Sequence, residues 1–90
     1  MKTALIISEY HIQQHAGEEY DAIIYVTDYP DTMNIDGEAS RIISELEQFG
    51  KEEEVTVYLA APPVYYTIAE NVIGKCKSDG YKVNGSWFKN

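Results

Sequence analysis

The sequence predicts an α/β fold: a sandwich of two or three layers around a mainly parallel, four-stranded sheet. Three observations carry this expectation. Apolar runs with strand character stand at residues 3–8 (TALIIS), 21–27 (DAIIYVT) and 55–60 (VTVYLA). Segments with helical period follow the second and third runs. The first two runs are nearly continuous rather than alternating, as in strands covered on both faces of a parallel sheet.

Each element has its own reason. The first strand, residues 3–8, ends on the polar Ser8. The crossover that follows fits a short helix or a loop, and Gly17 weakens the helix. After the second strand, Ala39, Ile42, Ile43, Leu46 and Phe49 recur at helical spacing over residues 37–49. Asp36 is the expected N-cap and Gly50 the expected stop. The third strand leads into Pro63, which suits the first turn of a helix over residues 64–77. Its apolar stripe is Tyr65, Ile68, Ala69, Val72, Ile73 and Cys76, and Gly80 follows its end. The tail YKVNGSWFK places Asn84-Gly85 between short apolar segments. That reads as a C-terminal hairpin, or as one strand with a loop before Trp87. Alternating strands and helices in one domain, residues 1–90, make this a small Rossmann-like sandwich.

Composition narrows the function classes. Ninety residues fold as one domain; such a chain buries about 60–65% of its unfolded surface, so a homodimer partner would add useful burial. Net charge is −8. Thirteen acids and two bases, Arg41 and Lys51, lie between residues 9 and 54. Beyond Glu70, Lys75, Lys77, Lys82 and Lys89 face Asp79 alone. A field of this sign repels extended nucleic acid. It leaves room for a compact anion held by the C-terminal lysines, or for a basic protein partner on the acidic half. A lone cysteine, Cys76, forms no intrachain disulfide. MKTALIISEY turns polar too soon for a signal peptide, and no apolar run reaches membrane-spanning length. A cytoplasmic protein is expected.

Open α/β sheets bind ligands outside the carboxyl ends of their strands. That rule selects Ser8, Glu9, Tyr10 and His11 after the first strand. It selects Thr27, Asp28, Tyr29, Pro30, Asp31 and Thr32 after the second, and Ala60, Ala61, Pro62, Pro63, Val64, Tyr65 and Tyr66 after the third. Small residues let a ligand approach the backbone, aromatic faces suit nucleobases, and the N–H groups of Val64 and Tyr65 would meet an anion at a helix start. The same run is also what a sharp strand-to-helix turn requires. Tyr65 and Tyr66 are adjacent on a helix, so one of them must face outward.

Other motifs are weaker. His11 and His15 in HIQQH share a helical face, but no third ligand has metal-site spacing, so no metal or cofactor is expected. His11 alone is the candidate for proton transfer or phosphate contact. Asp28 and Asp31 around Pro30 read as turn residues, and Cys76 as a packing residue. Phosphate-binding glycine fingerprints and nucleophilic triads are absent from the sequence.

The strand ending at Ser8, the run VYLAAPPVYYTIAENVIG and the following GYKV resemble the small Rossmann-like domains of prokaryotic antiviral defence. These are the CRISPR-associated Rossmann-fold (CARF) and SAVED-type sensors and the related short ring nucleases. The resemblance implies a homodimer with a cyclic oligoadenylate across it at the strand ends. In ring nucleases the ribose 2′-hydroxyl attacks the adjacent phosphate without metal. Carried over, the ligand-binding set is Ser8, Glu9, Tyr10, Thr27, Asp28, Tyr29, Ala61, Pro62, Pro63, Val64 and Tyr66, with His11 and Tyr65 as catalytic candidates. These loops hold acids and no Arg or Lys, so lysines of the tail or a second subunit would have to meet the phosphates. The alternative expectation is an acidic inhibitor, of phage or mobile-element origin, that docks on a basic surface of a host nucleic-acid-binding complex.

Overall fold

The computed structural model describes residues 1–9, 19–27 and 32–86. Within them the chain runs β1 (Lys2–Ser8), β2 (Ala22–Val26), α1 (Ile35–Glu47), β3 (Glu54–Ala60), α2 (Val64–Ser78) and β4 (Lys82–Gly85). A short 3-10 turn, Thr32–Asn34, precedes α1. The four strands form one sheet in the order β2-β1-β3-β4, and every pair is parallel. The fold is the expected α/β sandwich.

Strand alternation sorts the sheet into two faces. Ala4 and Ile6 of β1, Ile24 and Val26 of β2, Val55 and Val57 of β3 and Val83 of β4 share one core cluster with both helices. Helix α1 contributes Ala39, Ile42 and Leu46; α2 contributes Tyr65, Ile68, Ala69, Val72, Ile73 and Cys76. All six residues of the α2 stripe are therefore buried, as their spacing predicts. Leu5 and Ile7, on the opposite face of β1, are buried as well. The central strand thus has both faces covered. Its neighbour β2 does not: Ile23 and Tyr25 are 39% and 59% exposed. The expectation of a doubly covered second strand fails because β2 lies at the sheet edge.

Of the two forms expected for the tail, the described residues take the single strand. Asn84 and Gly85 make no hairpin turn; they are strand residues of β4, level with Thr56 and Val57 of β3. The ladder continues as Ser86 N–H donates to the Val57 carbonyl at 2.9 Å. An Asn-Gly pair favours a turn when two antiparallel strands flank it. Here the free edge of β3 takes the segment as a parallel partner instead. Trp87 lies outside the described residues.

Helix ends follow local chemistry. Helix α1 starts earlier than Asp36 implies, with Asn34 at the N-cap and no side-chain cap bond. Ile35 packs against the core and draws the first turn back. Asp36 and Glu38 fall in that turn, where negative charge complements the helix dipole. Helix α2 ends in a Schellman motif: Tyr81 N–H donates to Cys76 O at 2.9 Å and Gly80 N–H to Lys77 O at 3.1 Å. Gly80 has φ +93°, a region where side chains are strained. Cys76 is buried in α2, and burial pushes its thiol up to about 11, helped by Glu47 and Asp79. It is a packing residue with no thiolate at neutral pH. Among the described residues no helix is long and apolar enough to cross a membrane.

Candidate functional site

The strand order fixes where a site can lie. Strand β1 is flanked by β2 and β3, the next two strands in sequence. The chain leaves β1 in one direction and later returns past it to β3, so the topological switch point falls between β1 and β3. Ile7 stands level with Ala60, which brings Ser8 level with Ala61 at that point. The turn Ala61-Pro62-Pro63 and the first turn of α2 stand directly beyond.

Ser8 is the unusual residue here. Alternation aims it to the helix side, with Ala4 and Ile6. It is fully buried, and its hydroxyl has no hydrogen-bond partner among the described residues. Such a group costs about 1–3 kcal/mol of desolvation. Ala61 and Val64 are partly buried against the core, Pro63 is exposed, and Glu9 is exposed just past the strand. Thr27 is exposed at the end of β2.

The paired tyrosines divide as helical geometry demands. Tyr65 is 0% exposed and belongs to the core; Tyr66 is 39% exposed. The residue expected to be catalytic, Tyr65, is thus a core ring, while Tyr66 presents its ring outward. The anion site at the helix start is corrected. Tyr65 N–H donates to Pro62 O at 2.9 Å and Tyr66 N–H to Pro63 O at 3.0 Å. Pro62 and Pro63 carry no N–H. Only the Val64 amide is left of the donors a helix start normally offers.

Charge placement divides the lysines from the switch point. In an all-parallel sheet each connecting helix starts at the carboxyl edge and ends at the amino edge. Lys2 and Lys82 open β1 and β4, Lys51 precedes β3, and Lys75 and Lys77 close α2. All five stand at the amino edge. Arg41 lies mid-helix and donates to the Tyr25 carbonyl at 3.1 Å. These five lysines therefore stand across the sheet from the switch point, while Lys89 lies outside the described residues. The acidic half divides as well. Glu9 and Asp36 stand at the carboxyl edge, while Asp21, Glu47, Glu52, Glu53 and Glu54 stand at the amino edge.

Tyr10, His11, His15, Asp28, Tyr29, Pro30 and Asp31 lie outside the described residues. Among those described, no group of three or more His, Cys, Asp or Glu could hold a metal ion. Sequence reasoning missed Met33. It is 92% exposed in the turn before α1, at the same edge as Tyr66.

These features define an open parallel α/β domain with its candidate site at the β1/β3 switch point. Comparison of the chain with protein-family models, with curated proteins and with solved structures finds no match.

Proposed function

We propose that this chain is a small nucleotide-binding domain whose ligand sits at the β1/β3 switch point. One observation carries the reading: the strand order brings Ser8, buried and without a hydrogen-bond partner among the described residues, level with the small Ala61 where open α/β sheets receive ligands. The exposed face of Tyr66 offers a stacking platform for a base, worth about 1–3 kcal/mol. The alanines and prolines allow close approach to the backbone. Ser8 is fully covered, so a ligand hydroxyl or base edge that bonds to it displaces part of that cover and satisfies the stranded group.

The chemistry favours base and ribose over phosphate. No described lysine stands at this edge. A cyclic oligoadenylate would therefore be held through its bases, and cleavage is not part of the proposal. Calorimetry with adenosine, adenosine monophosphate and cyclic tri-, tetra- and hexa-adenylate tests this. Binding is expected, weakened about tenfold or more in Tyr66→Ala, consistent with one lost stacking contact. Ser8→Ala is expected to weaken binding without lowering the melting temperature, because it removes an unsatisfied polar group. No heat with any of these compounds would sink the proposal.

A further inference from the structure

The outer edge of β2 carries a separate inference. The Thr3 N–H donates to the Asp21 carboxylate at 2.7 Å, so the odd-numbered backbone groups of β1 point toward β2. Leu5 is level with Ile23. In a parallel ladder a residue bonds to the neighbours of the one it faces. Leu5 therefore engages Ala22 and Ile24, and the N–H and C=O groups of Ile23 and Tyr25 point away from the sheet. Their side chains are the exposed apolar ones of this strand. An open edge with outward amides and exposed apolar side chains is a template for strand pairing.

The edge is also self-complementary. An antiparallel pairing of two β2 strands about a two-fold axis at Ile24 sets Ile23 opposite Tyr25 of the second copy. Each such pair exchanges two N–H···O bonds. All four outward groups on each copy would be satisfied by identical groups on the other.

One contact stands against this. Arg41 of α1 donates through Nη2 to the Tyr25 carbonyl at 3.1 Å, and Glu38 holds the same nitrogen at 3.5 Å. The Tyr25 carbonyl is one of the two acceptors that the pairing needs from each copy. We propose that Arg41 guards the β2 edge, occupying the Tyr25 carbonyl and keeping a second copy of this chain from pairing there.

Sedimentation equilibrium on the full chain, wild type against Arg41→Ala and Arg41→Met, tests it. Alanine and methionine are both good helix formers, and methionine keeps an aliphatic stem, so a folded variant is available if one fails. Self-association is expected to tighten about tenfold or more in both variants. Adding Ile23→Lys, a charge on the open edge, should return association to the wild-type level. Unchanged association in the Arg41 variants would overturn the proposal. So would tightened association that Ile23→Lys leaves in place, since the contact would then lie elsewhere.

Discussion

The two edges of the sheet are built to different rules. The amino edge is stitched by polar contacts. Asp21 accepts from Thr3 N–H at 2.7 Å and faces Lys2 at 4.0 Å. The N-terminal ammonium stands 4.0 Å from Glu53. The Tyr81 hydroxyl donates to Glu47 at 3.4 Å, and Lys51 lies over the Tyr81 ring at 5.4 Å. The Schellman motif ends α2 at the same edge. At the carboxyl edge the described residues include alanines, prolines, an exposed methionine, an outward tyrosine and the buried Ser8 hydroxyl, alongside Glu9, Thr27 and Asp36. Each contact at the amino edge is small, since exposed ion pairs contribute about 0–1 kcal/mol, but together they hold the strand starts in register. Among the described residues the stitching contacts gather at one edge and the small and aromatic residues at the other, which is the division expected when stability and recognition occupy opposite ends of a parallel sheet.

The largest test of this contrast sits between adjacent tyrosines. Tyr65→Ala should lower unfolding stability by about 3–5 kcal/mol in urea denaturation, as for other large core aromatics. Tyr66→Ala should stay within about 0.5 kcal/mol, as for ordinary surface positions. Equal effects would erase the distinction between a core ring and a site ring.

Next in size is Gly80→Ala. The positive φ at this position makes a side chain cost about 1–2 kcal/mol, readable as a fall in melting temperature. The added Cβ itself meets no clash; the nearest atom is the flexible Lys51 Cδ at 3.8 Å. A neutral result would mean that the α2 stop does not depend on the left-handed residue.

The smallest effect belongs to Asp21. The backbone N–H of Thr3 holds its carboxyl below the usual value of 3.8, with Lys2 adding to the shift. A lowered carboxylate contributes stability above its unfolded pKa and loses it as pH falls through the folded one. Asp21→Asn should therefore flatten the decline of stability below about pH 4 and act weakly at neutral pH. A variant with an unchanged acid limb would remove Asp21 from the stitching of the amino edge.

Much of the fold was legible because periodicity survives folding. The α2 stripe is a helical pattern, and each of its residues reached the core. The third strand was readable from VTVYLA. What the sequence withheld depends on which element neighbours which. Asn84-Gly85 reads as a turn until a parallel partner claims it. DAIIYVT reads as a doubly covered strand until the order places it at the edge. That Tyr65 turns inward and Tyr66 outward follows from spacing, since Tyr65 falls on the stripe with Ile68, Ala69, Val72, Ile73 and Cys76. Lys75 and Lys77 read as neighbours of the site because they belong to α2, yet helix direction carries them to the far edge. Ser8 showed only a polar strand end. Its burial and its missing partner are properties of packing.

The separation of the two edges is tested most directly by amide chemical-shift mapping of the 15N-labelled chain titrated with adenosine, adenosine monophosphate and cyclic tetra-adenylate. Shifts are expected at Ser8, Ala61, Val64 and Tyr66, with Lys2, Asp21, Lys51 and Tyr81 unmoved. Shifts centred on the amino edge, or none with any of the three, would contradict the assignment of recognition to the carboxyl edge.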